Sequence, residues 1–225
     1  CQHLVRDINL AAARLARQAA AEAPAPVRFV VGSVGPTNKA LSMSPDIADP
    51  ALRAITFDEL ADAYAEQMTA LIEGGVDALL IETIFDTLNA KAAIYAAQQA
   101  MQATGREVPI MLSATLSDNA GRTLSGQTLE AFLVSVAHAR PLSIGLNCSF
   151  GAEQMLPYLR ELRARVPYFI SAYPNAGLPN QLGLYDETPA LMATHVRPFL
   201  AERQVDIIGG CCGTTDQFIR AFEKL

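Results

Sequence analysis

Short apolar, β-branched runs recur along the chain at Arg28 to Val34, Ala78 to Thr83, Ile110 to Leu116, Leu142 to Cys148, Tyr168 to Tyr173 and Val205 to Gly210. Near-continuous apolar runs of this length, bounded by turn residues, predict parallel strands buried on both faces. Between them lie Ala- and Leu-rich stretches with helical spacing. In one of these, Leu60, Tyr64, Met68 and Leu71 repeat every three or four positions, so they share one face. Thr56 and Glu59 have capping-box spacing at the start of that stretch, and Gly74-Gly75 closes it as a helix stop. The first element is a helix over roughly Leu4 to Ala21, joined to the first strand by the Pro-containing stretch Ala23 to Val27.

A β/α alternation this regular admits a doubly wound open sheet or a (β/α)8 TIM-type barrel. No Gly-rich dinucleotide fingerprint follows any strand, and polar residues gather at the carboxyl ends of several strands, which favours the barrel. Six strands are found where a closed barrel needs eight, so the expectation is a barrel fragment lacking about two N-terminal βα units. An exposed apolar edge on the first strand, with a tendency to self-associate, would accompany that.

Composition narrows the function classes. At 225 residues, 51% hydrophobic and 18% charged, the chain has ample material for a core, and 1–225 is read as one domain. With 17 Lys and Arg against 23 Asp and Glu, the net charge of -6 would repel phosphate backbones, and nucleic acid is not an expected partner. No apolar run reaches membrane-spanning length and the start lacks a signal-peptide pattern, so no membrane partner and a cytoplasmic location are expected. Four cysteines are too few for a disulfide scaffold in a chain of this size, which turns attention to their chemistry.

Asn147-Cys148 ends one strand, and Gly209-Gly210-Cys211-Cys212-Gly213 ends the last. In a parallel barrel all strand carboxyl ends share a face, so three thiols remote in sequence can converge there. The alternatives are inert buried cysteines and a disulfide between the adjacent pair. The second is disfavoured because neighbouring Cα atoms lie about 3.8 Å apart, below the usual span of a bridge. Three glycines around the pair would permit a sharp turn aiming both sulfurs at one point. Thiolate ligands select zinc, and three protein ligands with one open position define a catalytic site. Such a centre carries a charge near -1, which suits it to holding a substrate thiolate rather than to activating water.

These residues resemble the zinc signature of the homocysteine S-methyltransferases. Gly35-Pro36-Thr37-Asn38, Ile81-Glu82-Thr83, Ser125-Gly126-Gln127-Thr128 and Tyr173 to Asn180 narrow the resemblance, which runs end to end, to the cobalamin-dependent methionine synthase branch. The resemblance implies a homocysteine-binding domain with Zn2+ on Cys148, Cys211 and Cys212 and homocysteine sulfur as fourth ligand. The homocysteine thiolate would attack methylcobalamin, its methyl group originating from 5-methyltetrahydrofolate, to give methionine and cob(I)alamin. Cobalamin- and folate-binding modules of the full-length enzyme are then the partners. A family loop of Asp-Gly-Ala-Met-Gly-Thr type, which cradles the amino acid part of the substrate, has no counterpart here.

The resemblance also implies that Asn175 lies close to the metal and holds its fourth position until substrate arrives, and that Glu82 faces the substrate amino group. The bland readings are a turn-forming Asn beside Pro174 and Gly177, and a strand-end carboxylate held by a cap or ion pair. Asn147, Thr83, Ser113 and Thr115 join the substrate-binding candidates on strand-end position. His3, His138 and His195 read as solvated or packed side chains, not ligands. Two other functions remain open: a cobalamin-independent homocysteine S-methyltransferase using betaine or S-methylmethionine, and a non-catalytic zinc-stabilised docking module. The stretch Gly35 to Asp46 and the Tyr173 to Asn180 motif speak against the first.

Overall fold

The computed structural model describes residues 2–24 and 26–225; Cys1, and Ala25 within the predicted connection, lie outside the described residues. The fold is α/β with parallel strands, and it divides into two compact units, residues 1–111 with 135–141, and residues 112–134 with 142–225. Among the described residues no helix is long and apolar enough to cross a membrane.

In the first unit α1 (Val5–Glu22) precedes β1 (Val31–Val34), α2 (Phe57–Glu73) precedes β2 (Ala78–Ile84), and α3 (Thr87–Thr104) leads to the start of β3 (Ile110–Ala114). The strand order is β1-β2-β3, with Val31 opposite Ala78 and Val34 opposite Ile81. The expected face of α2 is the buried one: Leu60, Tyr64, Met68 and Leu71 all point inward. Its capping box forms as read, with Glu59 N–H donating to Thr56 Oγ1 and Thr56 N–H donating to Glu59 Oε2. Val31 of β1, with Val27 and Phe29 before it, is an exposed apolar side chain. The loop after β1 is tied down by groups that periodicity does not reveal. Asp86, fully buried at the amino end of α3, accepts hydrogen bonds from Ser42 N–H, Ser42 Oγ and Leu88 N–H, while Asn89 bonds Leu41 and Lys39.

The second unit holds the end of β3, most of α4 (Leu129–Val136), β4 (Ser143–Gly151), α5 (Ala152–Arg165), β5 (Phe169–Asn175), α6 (Pro189–Ala201), β6 (Ile207–Ile208) and α7 (Asp216–Phe222). Its order is β3-β4-β5-β6. Ile144, Leu146, Ile170 and Ala172 of the strands and Leu159, Leu162, Val196 and Phe199 of the helices are all buried in it. Every predicted strand shifts at one or both limits, and the first begins at Val31 instead of Arg28. The last strand shrinks to two residues, because beyond Ile208 the chain turns through its glycines, although Gly209 N–H to Ala172 O and Cys211 N–H to Pro174 O still tie it to β5. The fourth extends to Gly151 through a register slip between Cys148 and Gly151. Such a bulge re-aims the side chain it carries.

Candidate metal centre

Cys148 ends the regular part of β4, and it and Ser149 both have left-handed backbone, φ 60° and 57°. For residues with a Cβ this conformation costs about 1–2 kcal/mol each relative to the right-handed region, and such outliers cluster where geometry serves a site. Cys211 and Cys212 follow β6 on a turn stitched to the end of β5: Cys211 N–H donates to Pro174 O, and Ala176 N–H donates to Cys212 O. Of the three glycines around the pair, Gly213 alone has positive φ, 80°. Gly209 and Gly210 are needed for room instead, since a Cβ would lie 2.8 Å from the Tyr173 ring and 2.4 Å from Thr214 Oγ1 respectively. The sharp turn expected of three flexible residues is therefore made by one of them, with the other two allowing close packing.

The three sulfurs converge. Cys148 Sγ lies 3.5 Å from Cys212 Sγ and 3.6 Å from Cys211 Sγ, and the adjacent pair is 3.9 Å apart and unbonded. Tetrahedral zinc with bonds of about 2.3 Å places its sulfurs roughly 3.8 Å from one another, so the donor set fits that ion in both element and spacing. Among the described residues this is the cluster with metal-ligating geometry.

A polar framework surrounds the sulfurs. Ser113 Oγ donates to Asn147 Oδ1 at 2.7 Å, orienting the buried amide so that its Nδ2 points at Cys211 Sγ, 3.7 Å away. Asn175 Oδ1 accepts the Cys212 N–H at 3.1 Å. Thr115 Oγ1 donates to Asn147 O at 2.9 Å. Four strand-end candidates thus gather at the cysteines, and all four hold the frame of the site. Glu82 and Thr83 lie in the first unit, where Ser33 Oγ donates a short hydrogen bond to Glu82 Oε1 and Thr83 has φ 57°.

Electrostatics divides the thiols. Hydrogen bonding from Cys148, opposed by desolvation and reinforced by the Asn147 amide and Cys212, pulls Cys211 down to about 6. Cys148 is pushed up, first by donating to Cys211 and then by burial. The cluster therefore favours the Cys211 thiolate, which Cys148, the Asn147 amide and Cys212 all stabilise.

Tyr185 was invisible to sequence reasoning. Its ring packs on Gly213, where a Cβ would sit 2.3 Å from Cγ. Desolvation and a hydrogen bond to Cys212 raise its phenol above the ordinary value. Nothing local in the sequence marks it, since it acts across a loop. His195 Nδ1 lies 2.8 Å from Glu187 Oε1, a packed pair as expected, and His3 and His138 are exposed.

Three convergent thiols on strand carboxyl ends of a parallel α/β fold form a donor set that fits a thiolate-bound metal ion. Residues 1–225 match the homocysteine S-methyltransferase family, and the chain belongs to it. Three solved structures of the homocysteine methyltransferase MmuM from Escherichia coli share its fold. The apo form is 23% identical with a TM-score of 0.74, covering 100% of this chain and 74% of MmuM. The metallated form is 24% identical with a TM-score of 0.73, and the oxidized form 22% identical with 0.75; each covers 97% of this chain and 70% of MmuM.

Proposed function

We propose that this chain binds Zn2+ through Cys148, Cys211 and Cys212 and presents homocysteine as a thiolate for methylation by methylcobalamin, giving methionine. The observation that carries the reading is the approach of three sulfurs to between 3.5 and 3.9 Å across 63 and 64 positions of sequence. Bound zinc would supply Lewis acidity that keeps the substrate thiol ionised at neutral pH. The protein's part is to hold three thiolates in place, keep them electron-rich and leave one position open. The Asn147 amide and the Tyr185 hydroxyl aim donors at these sulfurs and temper their charge.

In the reaction the substrate sulfur loses its proton to solvent and forms a bond to the methyl carbon. The donor's bond to that carbon breaks with its electron pair, so the donor need only be a good leaving group. The Tyr173 to Asn180 and Gly35 to Asp46 stretches support methylcobalamin, charged from 5-methyltetrahydrofolate and presented by cobalamin- and folate-binding modules of a longer enzyme. Glu82 is assigned the substrate ammonium group on the same resemblance; with Ser33 on one oxygen its carboxylate keeps lone pairs to accept another donor. Asn175 and Asn147, with Ser113, Thr115 and Thr83, are taken as the remaining substrate-side groups. The accompanying fold reading is a (β/α)8 barrel of which these six strands are the larger part, working in the reducing cytoplasm where free thiols persist.

X-ray absorption on the zinc-loaded protein tests this directly. Three sulfur ligands should become four on adding homocysteine, and methionine should form with methylcobalamin but not with betaine or S-methylmethionine. An unchanged sulfur count would mark a structural zinc site. Methionine from a sulfonium or ammonium donor instead would reassign the branch.

A further inference from the structure

We infer that Ser149 is a positioning residue that locks Cys148 into its metal-facing conformation; the inference rests on the zinc reading above. Cys148 and Ser149 adopt successive left-handed backbone conformations, φ 60° and 57°. Neither is Gly, Asn or Asp, the residues that enter this region readily, so local preference does not explain the geometry. Something outside the strand must hold it.

The hydrogen bonds identify what does. Ser149 Oγ accepts the Leu116 N–H at 2.6 Å and lies 2.8 Å from Thr115 Oγ1. Thr115 gives its own hydroxyl proton to Asn147 O, so the Ser149 proton goes to Thr115 Oγ1, with Asn147 O a longer second acceptor at 3.4 Å. The pin therefore joins the residue after Cys148 to the end of β3, and through Thr115 to the carbonyl of the residue before it. None of the Ser149 hydrogen bonds goes to a sulfur. Its effect is on the backbone.

The consequence for the metal site is geometric. The slip between Cys148 and Gly151 marks where β4 leaves its regular register with β5. A strand that continued extended would alternate its side chains across the sheet, and the Cys148 sulfur would lose the approach it makes to Cys211 and Cys212. Ser149, adjacent to a ligand yet not itself a ligand, sets whether the third sulfur is available.

The test is Co2+ titration of the full chain, wild type against Ser149→Ala and Ser149→Gly, read by the sulfur-to-cobalt charge-transfer band and by competition with Zn2+. Ser149→Ala keeps the Cβ that resists left-handed backbone and loses the pin, so metal affinity should fall about 10- to 100-fold, the range for loss of a ligand-orienting partner. Its charge-transfer intensity per bound cobalt should drop toward that of two sulfurs. Ser149→Gly loses the pin but tolerates the backbone, and should lie between wild type and Ser149→Ala. A purely structural role would lower the unfolding midpoint without changing intensity per bound cobalt.

Wild-type affinity and intensity in either variant overturns the inference, and the glycine variant keeps the test valid if the alanine variant does not fold. A wild-type chain that shows no sulfur charge transfer sinks the zinc reading and this inference together. Full wild-type intensity with unaffected variants sinks only the role of Ser149.

Discussion

Asp77 and Asp206 occupy matching places in the two units, each one residue before a strand, and they make matching bonds. Asp77 Oδ2 accepts the Val30 N–H at 2.7 Å and pairs with Arg17 of α1 at 2.6 Å, while Asp77 N–H donates to Val30 O. Asp206 Oδ2 accepts the Ile170 N–H at 2.7 Å and pairs with Arg163 of α5 at 2.7 Å, while Asp206 N–H donates to Ile170 O. In both units a helix, the strand after it and the start of a neighbouring strand are joined through one carboxylate. The strand carboxyl ends differ. One unit presents Glu82 and Thr83, and the other gathers three cysteines within a polar frame. Repetition at the amino ends and divergence at the carboxyl ends is what a parallel α/β fold allows, because stability and chemistry sit at opposite ends of each strand.

The sharpest way to break this division is Cys211→Ser. Zinc measured by metal analysis should fall from one equivalent to substoichiometric levels with the far-UV spectrum intact, and tight zinc in the variant would remove Cys211 from the ligand set. Asn147→Ala tests whether the frame matters. Metal affinity should fall by about one to two orders of magnitude, since Asn147 orients a ligand without being one, whereas an unchanged affinity would reduce the contact to packing.

At the opposite ends the effect should be on folding alone. The Asp77 carboxyl resists the desolvation that would raise it, because the Val30 amide and the Arg17 and Arg106 guanidiniums hold it below its ordinary value. A depressed carboxyl contributes stability above its unfolded pKa, and that contribution is lost as pH falls through the lower folded value. Asp77→Asn should cost about 1–2 kcal/mol at pH 7 in urea unfolding, moderated by the pair's partial exposure. The difference from wild type should shrink in acid while zinc stoichiometry stays unchanged. Loss of zinc in this variant would show that the two ends are coupled.

The smallest effect expected is in proton release. Because Cys211 lies at about 6, zinc binding at pH 7 should release fewer protons than the three thiols could give, and more as pH falls below 6. Calorimetry in buffers of different ionisation enthalpy reads this directly. Release of all three at pH 7 would mean that no thiolate is preformed.

Much of the fold was legible because its signals are short-range. The face Leu60, Tyr64, Met68 and Leu71 and the Thr56–Glu59 box depend on neighbours within a turn, and the structure places both as read. The ligand residues were legible from residue type, since sulfur chemistry is carried by the side chain itself. Their support was not. Ser113, Asn147 and Thr115 stood out as strand-end polar residues, but their hydrogen bonds to the frame span 32 and 34 positions. Tyr185 and Ser149 had no pattern to betray them. Gly209 and Gly210 were noticed as flexible, whereas what they contribute is the absence of a Cβ beside Tyr173 and Thr214.

By itself the order of residues determined the alternation of strands and helices, the burial of their apolar faces and the presence of three soft donors at strand ends. Those properties follow from periodicity and side-chain chemistry, which act over a few positions. Only the tertiary structure decided that the sulfurs meet at bonding distances from a common point, that Cys211 is a thiol pulled below its ordinary value, and that Cys148 is turned inward by a backbone conformation its own sequence does not favour. Each of these depends on groups tens of residues away, and the free energy of such contacts exists only once the chain has brought them together.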